Sequence, residues 1–257
     1  MKVAPPRRVG TVVWVDLSTT DIDQSIHFYE RLFGWHYDEH DTAKGTYVVA
    51  RVDAGEVGGM MAQSPEDTDA VIPPSWTVVV GDDHLEPTLA RTRELGGSVL
   101  EPPISIPGGA RIAVIADPTG ATLALMQSPP SERGMAWGGA GTVSWVECLS
   151  RDPAAARGFY EKLFGWKGEE GTGGYVVFHL DDERVAGLMG MPVSVPAEVP
   201  SHWLVYFTVV DADATCARAG THGGTVLEPI HDIEEGRFAV LADPAGAVFA
   251  VFEGRRD

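Results

Sequence analysis

The chain has 257 residues, 44% hydrophobic and 22% charged, enough for one large domain or two ordinary ones with real cores. Its 19 basic and 37 acidic residues leave a net charge of −18, spread evenly, with 10 against 19 through Arg133 and 9 against 18 beyond. That field repels phosphate backbones and anionic lipid, which argues against nucleic acid and membrane partners.

No apolar run approaches the roughly 20 residues of a membrane span. The opening MKVAPPRRVG carries basic charge but no apolar stretch of a secretory leader, and two cysteines, Cys148 and Cys216, are too few for a disulfide framework. A reducing cytoplasm is the expected setting.

In chain order, VVWVDL (12–17) alternates as a half-buried strand. A helix follows with Ile22, Ile26, Tyr29 and Phe33 at helical spacing and Gly34 as its stop. YVVARV and VGGMMA read as two more strands around Asp and Gly turns. The pattern then restarts: a strand from Trp76, a helix over about 85–95, a strand after Gly96 and Gly97, and a hairpin through the turn Asp117-Pro118-Thr119-Gly120. Beyond a Pro-, Gly- and Ser-rich joining segment the whole series is repeated. Asp152 and Pro153 there take the N-cap and first-turn positions of the helix, and Gly165 ends it.

The repeat is close in wording as well as in pattern. FYERLFGW (28–35) returns as FYEKLFGW (159–166), GGSVLEPPI (96–104) as GGTVLEPI (223–230), and ARIAVIADPTGATLAL (110–125) as GRFAVLADPAGAVFAV (236–251). Repetition on this scale is the first determinant of architecture. The reading is α+β, four βαβββ modules forming two homologous domains at 9–128 and 141–254, with a linker at 129–140.

A paired βαβββ module with FYxxLFGW on its first helix and DPxG before its last strand resembles the glyoxalase, bleomycin-resistance and ring-cleaving dioxygenase superfamily, also called vicinal oxygen chelate. The resemblance covers almost the entire chain. It implies cupped, barrel-like sheets around clefts for small molecules, within or between the halves. The octapeptide itself is expected to be core, packing its helix against the sheet.

Metal-dependent members of that family commonly carry a His on the first strand, a His on the fifth and a Glu on the eighth. Counting from the octapeptide and from DPxG places Trp14, Trp76 and Ala124 at those positions in the first half, and Trp145, Trp203 and Ala250 in the second. Trp and Ala offer no lone pair to a divalent metal. The expectation is no metal and no other cofactor, with His84 and His202 as loop or surface residues.

In place of ligands, Trp14 and Trp76 in one half and Trp145 and Trp203 in the other are expected to face one another. With Tyr47 and Met61, or Tyr175 and Met189, they would wall a slot for a planar apolar or polyketide-like molecule, or else plug the barrel as core. Asp16 lies two residues after Trp14, and Glu147 two after Trp145, so each shares its neighbour's face. A carboxylate beside aromatic surface is a candidate general base, or alternatively a structural acceptor. Arg111 and Arg237 read as ion-pair residues, Glu101 and Glu228 as matched but undecided.

Three functions follow: a metal-independent binding protein for a metabolite or drug, a cofactor-free isomerase, cyclase or epimerase using Asp16 or Glu147, and a metal-dependent lyase or dioxygenase. The last has the least support in the residues. A monomer or homodimer accommodates any of them.

Overall fold

The computed structural model describes residues 9–42, 45–65, 68, 72–129 and 134–255. The first half runs β1 (Val12–Thr19), α1 (Ile22–Phe33), β2 (His36–Thr42), β3 (Gly45–Val52), β4 (Gly55–Ala62), β5 (Ser75–Gly81), α2 (Leu85–Glu94), β6 (Ser98–Ser105), β7 (Arg111–Ala116) and β8 (Thr122–Gln127). The second repeats it as β9 (Val143–Ser150), α3 (Pro153–Phe164), β10 (Lys167–Glu170), β11 (Val176–Leu180), β12 (Glu183–Gly190), β13 (His202–Thr208), α4 (Ala212–Thr221), β14 (Thr225–Ile233), β15 (Gly236–Ala242) and β16 (Val248–Gly254).

Each half forms one eight-stranded curved mixed sheet, ordered β2-β3-β4-β1-β5-β8-β7-β6 and β10-β11-β12-β9-β13-β16-β15-β14. Each cup is therefore built within one half. Helix ends follow local chemistry: the Asp21 and Asp152 carboxylates accept the N–H of Gln24 and Ala155, and Gly34 and Gly165 close the helices at φ 72.

The octapeptides do more than pack their own sheets. Phe28 and Tyr29 reach the opposite half, with Phe28 6.2 Å and Tyr29 5.5 Å, ring centroid to centroid, from Phe249. A Cβ at Gly224 would stand 2.8 Å from the Phe28 ring, and one at Gly97 2.8 Å from the Phe159 ring. The repeated Gly-Gly thus makes room for the other half's Phe. The Tyr29 hydroxyl donates to Asp243 at 3.1 Å, and the Tyr160 hydroxyl to Asp117 at 2.9 Å. Trp35 and Trp166 donate their indole N–H across the seam to the carbonyls of Gly141 and Gly10, each at 2.7 Å. Three repeated motifs interlock crosswise between the halves.

Of the segment read as a linker, residues 130–133 lie outside the described residues, as do the opening residues 1–8. Met135 and Ala136 are buried, and the Ala136 N–H donates to the Glu56 carbonyl. Arg111 and Arg237 pair with Glu86 and Asp213 across exposed surface, where such pairs contribute little. Among the described residues no helix is long and apolar enough to cross a membrane.

Candidate functional site

Strand alternation sorts the candidate residues onto two faces of each sheet. On the concave face of the first, Trp14 pairs with Val79 and Asp16 with Gly59, while Tyr47 pairs with Met61. In the second, Trp145 pairs with Tyr206, Glu147 with Gly187, and Met189 with Leu149. The structure brings Trp14, Asp16, Tyr47 and Met61 to one cup and Trp145, Glu147, Tyr175 and Met189 to the other.

Trp76 and Trp203 are corrections. Trp76 pairs with Leu17 and Trp203 with Cys148, so both have the opposite parity to the carboxylates and point to the helix-covered face. Each is buried and donates its indole N–H to an octapeptide tyrosine, Trp76 to Tyr29 at 2.9 Å and Trp203 to Tyr160 at 3.0 Å. They belong to the seam between the halves. A count one residue out moves a strand side chain to the other face, and the cup-facing residues of the fifth and thirteenth strands are Thr77, Val79, Leu204 and Tyr206. The facing pair of tryptophans in each slot is absent.

What each cup holds is a carboxylate clasped by aromatic donors. The Tyr47 hydroxyl donates to Asp16 Oδ1 at 2.5 Å, and Trp14 Nε1 donates to the Tyr47 oxygen at 2.8 Å and lies 3.1 Å from Asp16 Oδ1. In the second cup Trp145 Nε1 donates to the Tyr175 oxygen at 2.8 Å, Tyr175 is hydrogen-bonded to Glu147, and Tyr206 donates to Glu147 Oε1 at 3.2 Å. Burial pushes the Asp16 carboxyl up, against the Tyr47 and Trp14 hydrogen bonds that pull it down. Glu147 is pushed up to about 7 by burial, with Tyr175 and Tyr206 opposing. Tyr206 has no signal in the repeat, because its counterpart in the first half is Val79.

Glycines give these clusters their space. A Cβ on Gly59 would lie 1.7 Å from the Tyr47 hydroxyl and 2.3 Å from Asp16 Oδ1, and one on Gly187 2.0 Å from the Tyr175 hydroxyl. Gly187→Ala is expected to displace Tyr175 from Glu147 and cost about 1–3 kcal/mol by overpacking. Urea unfolding with near-ultraviolet circular dichroism checks it; an unchanged midpoint and unchanged aromatic spectrum would contradict it.

The residues do not fit a divalent metal. One row across each cup reads Trp14, Val79, Ala124, Val114 and Glu101, and Trp145, Tyr206, Ala250, Val240 and Glu228. The first four positions of each row carry no carboxylate, thiolate or imidazole donor, and the edge strand adds a single carboxylate to each. Among the described residues no three or more His, Cys, Asp or Glu gather as a metal set. His202 hydrogen-bonds the Pro200 carbonyl, and burial holds its imidazole below the usual range. Cys148 is buried, and burial followed by the nearby Asp117 charge pushes its thiol well up. A cavity of about 430 Å³ lies elsewhere, on the helix side, lined by Gln24, His27, Phe28, Arg31 and His222.

Comparison with known proteins agrees with this architecture. Residues 11–125 and again 142–251 match the family described as Glyoxalase/Bleomycin resistance protein/Dioxygenase superfamily. A Mycobacterium tuberculosis protein named "Putative glyoxylase CFP32" is 38% identical over 96% of this chain and 95% of its own length. "Anthracycline biosynthesis protein DnrV" of Streptomyces peucetius is 34% identical over 96% of this chain and 94% of its own. The crystal structure of the Mn(II)-bound glyoxalase from Novosphingobium aromaticivorans shares the fold at a TM-score of 0.65 and 15% identity, covering 96% of this chain and 83% of that one.

Proposed function

The chain belongs to the Glyoxalase/Bleomycin resistance protein/Dioxygenase superfamily, and on that premise we propose that it holds a planar, polyketide-like metabolite in an aromatic-lined cup without a metal. The observation that carries the reading is a carboxylate held by a tyrosine that itself accepts from a tryptophan, half-buried as Asp16 in one cup and buried as Glu147 in the other, where metal ligands do not fit. Aromatic walls offer stacking area, and a carboxylate at the floor selects a ligand edge bearing O–H groups. The relative named for anthracycline biosynthesis supports a place in secondary metabolism. Calorimetric titration of the EDTA-treated chain with 1,4-dihydroxyanthraquinone is expected to give saturable micromolar binding. No binding up to the solubility limit of the probe would overturn the proposal.

One observation favours a second reading, a cofactor-free isomerase or cyclase. A carboxyl at about 7 is divided between its two forms at neutral pH, as a general base that must also return its proton requires. Glu147, or Asp16 in the first cup, would take a proton from an acidic C–H and give it back at another position. Anthrone in D2O tests this: the chain is expected to speed deuterium uptake at C10. Asp16→Asn with Glu147→Gln is expected to abolish that gain. A rate equal to the buffer's removes the enzyme reading and leaves binding alone.

A further inference from the structure

The two cups match at the floor and differ at the wall. At positions equivalent by register, the first cup carries Val79, Met126, Ile112 and Ile104, and the second carries Tyr206, Phe252, Phe238 and His231. All four are aliphatic in one half and aromatic in the other. Such a change across three adjacent strands and an edge is a change of surface, because these side chains share one face and lie next to one another.

The second wall is continuous and graded in depth. His231, exposed on the edge strand β14, stacks on Phe238 with centroids 5.3 Å apart and planes at 28°, while its Nε2 lies 3.7 Å from Glu228. Half-buried Phe238 meets Tyr206 at 5.9 Å, and buried Tyr206 donates to Glu147. From rim to floor the surface passes from an imidazole through phenyl and phenol rings to a carboxylate. Trp145 is half-buried here, whereas Trp14 in the first cup is only 6% exposed. Here the tryptophan ring is open to a ligand. The tyrosine, phenylalanines and tryptophan of this cup, with Leu149, Leu204 and Met189, form an apolar cluster separate from the main core.

We infer that the two cups are functionally unequal: the second half's cup is the binding site, and it takes a planar, hydroxylated aromatic ring system that stacks on Trp145, Phe238 and His231 with its phenolic edge toward Tyr206 and Glu147. This rests on the small-molecule reading above and adds which cup is used and what recognises the ligand. The first cup, with an aliphatic wall and the Trp14 ring buried, is the scaffold copy.

Titration calorimetry with 1,4-dihydroxyanthraquinone tests it through stoichiometry and through variants that give the second cup the first cup's residues. One molecule per chain is expected. Phe238→Ile with His231→Ile is expected to weaken binding about tenfold, from lost ring contacts. His231→Ile alone, at an exposed rim position that does not threaten folding, is expected to weaken it about threefold. Ile112→Ala in the first cup is expected to leave affinity within about twofold. Two equal molecules per chain, an Ile112→Ala loss as large as that of the double variant, or unchanged affinity in the second-cup variants would overturn the assignment while leaving the small-molecule reading intact. Failure of the unmodified chain to bind would remove both.

Discussion

Asp117→Ala is expected to destabilise the chain by about 3–5 kcal/mol, seen as a fall of about 6–20 °C in the thermal midpoint. The carboxylate is buried, and its two oxygens are shared between the halves. Oδ1 accepts the backbone N–H groups of Thr119 and Ala121 and the Thr119 hydroxyl, and Oδ2 accepts the Tyr160 hydroxyl from the other half's first helix. Alanine leaves the buried Ala121 N–H and Tyr160 hydroxyl and the half-buried Thr119 donors without their acceptor, and the desolvated ones carry the full cost. Tyr160 in turn accepts from Trp203, so the loss spreads to the seam. Tyr160→Phe strands only Asp117 Oδ2 and the Trp203 indole N–H, against the four donors left by Asp117→Ala, and is expected to cost less, about 2–3 kcal/mol. Differential scanning calorimetry separates the two; equal, small losses below about 1 kcal/mol would show that the crosswise clasp does not hold the halves together.

The second large effect depends on pH. The folded-state carboxyl of Glu147 is pushed up to about 7 from an ordinary value near 4.5. A raised carboxyl pKa means that the native state retains a proton which the unfolded chain has released. Below about pH 4.5 both states are protonated and nothing is lost. Between about 4.5 and 7 the unfolded state gains from ionising, and stability falls by about 3 kcal/mol before levelling off above 7. Glu147→Gln cannot ionise and lacks this slope. Urea melts from pH 4.5 to 8 are therefore expected to show the variant gaining about 3 kcal/mol relative to the unmodified chain. Its offset at pH 4.5 reports how well the amide replaces the acid. Parallel pH profiles for the two proteins would contradict the raised pKa and, with it, the reading of Glu147 as a base.

The module pattern was legible because each element announces itself locally: alternation in VVWVDL, helical spacing in FYERLFGW, and capping by Asp152 and Gly165. Strand β2 was not, since His36–Thr42 is a polar edge strand with little apolar face and so no alternation to read. Asp16 and Glu147 were legible as carboxylates beside tryptophan, because parity along one strand needs no tertiary information. Trp76 and Trp203 were misplaced because their positions came from a count across a helix and a loop, where one residue inverts the face. The pairing of FYxxLFGW with DPxG and Gly-Gly of the opposite half lay beyond periodic signals, which report an element's own face and not what crosses a seam. The difference between the cups was present in the letters, as Val79 against Tyr206 and Ile112 against Phe238. Only register showed that those positions share a wall.

The most direct test is a crystal structure of the chain with 1,4-dihydroxyanthraquinone. The ring system is expected in the second cup, against Phe238 and Tyr206, with an oxygen at hydrogen-bonding distance from Glu147 and no metal between them. Ring density confined to the first cup, or in the groove beside His27 and His222, or held through a metal ion would contradict a metal-free aromatic site built on Glu147.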